Sequence, residues 1–221
     1  MQPGIWGNLR LEQVSVERFE RCCPHQLIHG ANPMAAGSSP DYGSPVTRPG
    51  RPQSGLIVEV PEADPVVGQH RALLDASAPL GVPAHITVLF PFMPPWRIDE
   101  LVLAELEHLF ASVTRFRFRL DDTGWFGDDV LWLAPRDPGP FRALTQCVYG
   151  AFPAFPPFEG QYDDVVPHLT IGHGRPLNDL HSAEDSIQAQ LPIDGHATAV
   201  TLMTQQSAAG RWTKAATFSL A

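Results

Sequence analysis

Two five-residue segments of this chain carry residue types and spacing suited to acid–base chemistry: Ala84-His85-Ile86-Thr87-Val88 and Pro167-His168-Leu169-Thr170-Ile171. Each reads as a β-strand, in which residues i and i+2 point to the same face. An imidazole and a hydroxyl therefore stand side by side, while Ile86 or Leu169 turns toward the core. Two such strands facing each other would set two imidazoles and two hydroxyls around one cavity. Imidazole titrates near 6.5, so its neutral and protonated forms are both accessible at neutral pH. A neutral ring can take a proton from an attacking water, and a protonated one can give a proton to a leaving alkoxide. The threonine hydroxyls can donate to non-bridging phosphate oxygens, positioning the phosphate and stabilising charge as it develops. The chemistry this set suits is phosphodiester cleavage without a metal, with His85 and His168 catalytic and Thr87 and Thr170 binding phosphate.

A single H-x-T says little, because with 9 His and 11 Thr chance supplies about half an occurrence. A third copy, His196-Ala197-Thr198, makes the point. It has Ala where the others have Ile or Leu, follows Gly195, and sits at a strand start. The weight rests on the shared longer form of the other two. His173 and Arg175, just past the second segment, lie where the mouth of a site would be. Phe90 and Phe92, in the turn after the first, could stack on a base, although core packing is the commoner use of such rings. These four are candidate substrate contacts. Asp164, in the polar loop before the second segment, is a candidate to orient a histidine.

The elements that must position these residues are legible from Gly55 onward. Leu56 to Val60, His85 to Phe90, Phe116 to Leu120, Val130 to Leu133 and Val166 to Ile171 read as strands, as do Thr198 to Gln205 and Arg211 to Leu220. Helices are predicted over Asp64 to Ala76, with Val67, Leu73 and Leu74 inward, and over Ile98 to Val113. Two more start at Asp137-Pro138 and at Asn178. Arg115, Arg117 and Arg119 alternate with Phe116, Phe118 and Leu120, a half-buried strand with a solvated basic face. Short links between several strands favour antiparallel pairing, and an α+β fold follows. Each half holds an H-x-T strand followed by a helix.

Residues 1–54 read differently. From Pro24 to Ser54 the chain is crowded with Pro, Gly and Ser, and such a stretch cannot offset its ordering entropy by burial. A disordered or loosely attached extension over 1–54 is expected, then one two-lobed domain over 55–221. Met34 is a candidate start codon. Cys22, Cys23, His25 and His29 do not match a zinc spacing, and three cysteines make a poor disulfide framework. No metal or cofactor is expected. The absence of a signal-peptide pattern or an apolar run of roughly 18 residues points to the cytoplasm and away from membranes. Net charge is −9, and residues 55–221 hold 10 Lys and Arg against 20 Asp and Glu. That balance argues against gripping an extended nucleic acid. It leaves room for a small nucleotide or an RNA terminus, bound by a monomer.

Two H-Φ-T-Φ segments about 80 residues apart in an α+β chain resemble the 2H phosphoesterase superfamily. The nearest likeness is to the 2′-5′ RNA ligase-like proteins, or RNA 2′,3′-cyclic phosphodiesterases, over about Gly55 to Ala221. The resemblance implies a bilobal fold with pseudo-twofold symmetry, two mostly antiparallel sheets lining a central cleft, helices outside, and one motif from each lobe. It implies opening of 2′,3′-cyclic phosphates by His85 and His168 without a metal. Alternatives are a nucleotide- or RNA-end-binding module without turnover, and a 2′-5′ RNA ligase.

Overall fold

A computed structural model describes residues 51–161, 165–207 and 209–221. Met34, the first two cysteines and Asp164 lie outside these residues, as do the first 50 residues of the expected extension. The chain runs β1 (Gln53–Glu59), α1 (Asp64–Leu74), β2 (His85–Leu89), α2 (Glu100–Ala111), β3 (Phe116–Phe126), β4 (Val130–Pro135), α3 (Gly139–Ala151), β5 (Leu169–His173), α4 (Leu177–Gln188), β6 (Ile193–Ala197), β7 (Ala199–Gln205) and β8 (Trp212–Ser219). Strand β1 begins before Leu56, where the sequence reading starts it. Gln53 and Ser54 belong to β1, and the buried Ser54 hydroxyl donates to the Met93 carbonyl at 2.6 Å.

The strands form two four-stranded antiparallel sheets, ordered β2-β1-β7-β8 and β5-β4-β3-β6. This is the expected α+β architecture. Each motif strand is the edge of its sheet, and these two edges lie against each other. The helices are exchanged between sheets: α1, which follows β1, packs on β5, and α3, which follows β4, packs on β2. Gly172 of β5 permits the first contact, since a Cβ there would lie 2.6 Å from Leu180 and 2.8 Å from Leu74. The second is sealed by the buried Thr145 hydroxyl of α3, which donates to the Val88 carbonyl of β2 at 2.7 Å. Leu56, Val58, Ile86 and Val88 line the packed face of one sheet, and Leu131, Leu133, Leu169 and Ile171 that of the other.

Two expectations are corrected. Strand β6 is absent from the sequence reading because Ile193-Asp194-Gly195-His196-Ala197 holds poor strand formers. Pairing with β3 makes it a strand, and Gly195 is required because a Cβ would meet the Phe118 ring at 2.3 Å. On α1, Leu73 is 74% exposed and the inward positions are Val67, Arg71 and Leu74.

Candidate active site

Strand register decides which side chains share the face of each motif. His85 pairs with Glu59 and Thr87 with Ile57, so these four share one face of the first sheet. Thr170 pairs with Trp132, which pairs with Gly124. The register slips between Leu131 and Trp132, passing over Ile171, so that His173, opposite Val130, returns to the face of Thr170. Without that slip His173 would point the other way.

Both histidines are held alike. His85 Nδ1 lies 2.8 Å from the Pro83 carbonyl, and His168 Nδ1 lies 2.7 Å from the Val166 carbonyl. A carbonyl only accepts, so Nδ1 carries the hydrogen in each ring and Nε2 is left as the basic nitrogen. Both rings are half-buried. Desolvation pushes the His85 imidazole from its ordinary 6.5 down to about 4, against the Pro83 carbonyl, which favours the protonated ring. Arg71 and His168 push it further down, and Asp75 opposes them. Burial also lowers His168, opposed by the Val166 carbonyl. The two rings stand on β2 and at the start of β5, the edge strands that lie against each other.

The surroundings of His168 are aromatic. Phe126 and Trp132 lie with ring centroids 4.9 and 5.8 Å away. Gly124 gives Trp132 its place, because a Cβ there would fall 2.4 Å from the indole. The indole Nε1 is buried without a hydrogen-bond partner among the described residues. Beneath the motifs, Arg71 is only 3% exposed. Its Nε donates to the Thr170 carbonyl at 3.1 Å and its Nη2 to Asp75 Oδ2 at 2.7 Å.

The other candidates divide. Phe90 is half-buried on the His85 face; a Cβ on Gly55 would lie 3.0 Å from its ring, and the Trp212 ring is 6.0 Å away. Phe92 is 4% exposed and packs against Phe152 and Phe155, a core position rather than a surface for a ligand. His173 reaches Asp129 at 3.1 Å. Arg175 is exposed, with Nε donating to the Leu74 carbonyl at 3.3 Å. The third H-x-T is elsewhere: His196 is exposed on β6, at the edge of its sheet opposite β5. Of the arginine row, Arg119 makes a two-pronged pair with Asp194 and Arg115 donates to the Leu220 carbonyl.

Sequence reasoning missed Arg71, Asp75, Phe126 and Trp132. For Arg71 a signal was present, since Val67, Arg71 and Leu74 follow helical spacing and Asp75 stands at i+4. For Trp132 the signal was Gly124, a small residue facing it across a strand pair. Among the described residues no group of three or more His, Cys, Asp or Glu could hold a metal ion, and no helix is long and apolar enough to cross a membrane.

The fold is similar to that of E. coli LigT complexed with 3′-AMP, at 19% identity and a TM-score of 0.50, covering 77% of this chain and 99% of the other. TT0787 of Thermus thermophilus is alike at 18% identity and a TM-score of 0.50, covering 76% and 97%. No curated protein sequence matches. A family model, that of the 2′-5′ RNA ligase superfamily, matches residues 59–209, which runs from the partner of His85 in β1 through both motifs to just past the end of β7. With two H-x-T edge strands brought together by exchanged helices, the chain belongs to the 2′-5′ RNA ligase superfamily of 2H phosphoesterases.

Proposed function

We propose that the chain is a metal-independent phosphodiesterase that opens a 2′,3′-cyclic phosphate on an RNA end or a small nucleotide. The observation that carries this reading is the matched restraint of the two imidazoles. Each has Nδ1 tied to the carbonyl two residues back, on abutting edge strands, with a threonine two residues on. That leaves two Nε2 atoms and two hydroxyls for one phosphate. One neutral imidazole takes a proton from water as the water oxygen bonds to phosphorus. The other, protonated, gives its proton to the ribose oxygen whose bond to phosphorus breaks. Thr87 and Thr170 donate to the non-bridging oxygens, and their help grows as charge builds there. E. coli LigT complexed with 3′-AMP supports a nucleotide as the ligand class. Phe90 and Trp212, half-buried on the His85 face, are proposed to meet the base.

The test is turnover of a 2′,3′-cyclic mononucleotide in EDTA, with products separated chromatographically. His85→Ala and His168→Ala are each expected to lower kcat by roughly 10²–10⁴-fold while the melting transition persists. Full activity in either variant overturns the reading. Binding of the cyclic nucleotide without product in the wild type would instead mark a module that binds and does not turn over.

A further inference from the structure

We propose that Arg71 is a positioning residue that sets the spacing of the two histidine strands and makes His85 the base and His168 the acid; this rests on the two-histidine reading above. The geometry is specific. Nε of Arg71 donates to the Thr170 carbonyl, two residues after His168, at 3.1 Å. Nη2 donates to the Val82 carbonyl at 3.4 Å, one residue before the Pro83 carbonyl that holds His85. One planar guanidinium thus spans the entry to the first motif and the exit from the second. Lysine, with a single nitrogen, cannot bridge the two in the same way.

The charges around the two rings differ. His85 is faced from α1 by Arg71, from the residue after that helix by Asp75, from the other motif by His168, and from β1 by Glu59. Glu59 is occupied, accepting from Lys214, the only lysine of the chain, at 2.7 Å and from Thr201 at 2.8 Å. Asp75 is shared between Arg71 and the backbone N–H and hydroxyl of Ser77. Arg71 acts on His85 more strongly than Asp75 does, so the pair disfavours a proton on His85. His168 is lowered by burial and raised by the Val166 carbonyl, without the guanidinium charge that bears on His85. The first proton therefore goes to His168. In the step, His85 Nε2 receives the proton of water as the new P–O bond forms. His168 gives its own to the departing ribose oxygen, and solvent afterwards returns the proton from His85 to His168. A buried ion pair adds little net stability, which accords with a role for Arg71 in geometry and charge.

The experiment is a titration of the histidine ring signals by NMR, with His85 assigned through His85→Gln. In the wild type His168 is expected to titrate above His85. Arg71→Met removes the cation and leaves Asp75, so the His85 midpoint is expected to rise by about one pH unit. Asp75→Asn removes the opposing charge, so the midpoint is expected to fall. Arg71→Lys keeps the charge and loses the bridge; the His85 midpoint stays while kcat drops about tenfold with KM little changed. Opposite movement in the Met and Asn variants supports the proposal, and a general loosening would not produce it. A His85 midpoint unmoved in both, movement in one direction in both, or His85 titrating above His168 overturns it. If Arg71→Met fails to fold, Asp75→Asn and Arg71→Lys carry the test. Absent turnover of cyclic substrates would overturn the functional reading and leave the titration result standing.

Discussion

At the scale of single residues, the proposed chemistry depends on two imidazoles whose burial favours the neutral form. His85 lies at about 4 and His168 is also depressed, so the free site is short of the proton that its acid must hold. In the proposed site a phosphate ester supplies the remedy. Its negative charge between the rings favours imidazolium, so ligand binding draws in a proton. Affinity for an inert analogue such as a nucleoside 2′-monophosphate is expected to rise as pH falls from 8 toward 5, up to about tenfold per pH unit for one proton taken up. Calorimetry in buffers of different ionisation enthalpy would read the uptake directly, and no uptake across that range would refute it. The placing of each histidine beside its threonine was legible in the sequence because H-x-T in a strand is a two-residue relation. The depressed titration was not, because desolvation comes from residues distant in the chain.

At the scale of elements, the aromatic wall around His168 depends on one glycine. Gly124 stands opposite Trp132 in the β3–β4 ladder, where a Cβ would fall 2.4 Å from the indole. Gly124→Ala is expected to displace Trp132, cost about 1–3 kcal/mol of stability by overpacking, and lower kcat by moving His168. Thermal melting and steady-state kinetics together check this, and wild-type values in both would show that the ring adapts freely. Helix α2 starts two residues later than the predicted Ile98, because Asp99 accepts from the Val102 N–H at 3.0 Å and so acts as its N-cap. The inward face of α1 was misread because leucine was preferred to arginine, whereas Leu73 is exposed and Arg71 buried. Hydrophobicity orders residues by transfer energy, and it cannot anticipate an arginine whose hydrogen-bond partners arrive from another sheet.

At the scale of the whole molecule, the same buried histidines link stability to pH. The folded-state titration of His85 lies below the unfolded value of 6.5, so between pH 6.5 and 4 the unfolded chain binds a proton that the folded chain refuses. Stability from this group is full above about 6.5 and declines as pH falls toward 4. His168 acts in the same direction. The melting temperature is expected to drop across this window more steeply in the wild type than in His85→Gln. Equal slopes would remove the linkage. Net charge of −9 suits a substrate held by a few local groups, since a long polyanion would meet repulsion outside the site.

The sequence by itself determined what is short in range. It specified which residues alternate along each strand, that an α+β fold results, and that His85-Thr87 and His168-Thr170 are each paired on one face. The tertiary structure decided which strand forms which edge. It exchanged α1 and α3 between the sheets, buried Arg71 under both motifs, turned His173 to the face of Thr170 through a slip in register, and sent Phe92 into the core. The physical reason is that pleat and capping act between near neighbours, whereas desolvation, register and the meeting of β2 with β5 arise only when segments about 80 residues apart pack together.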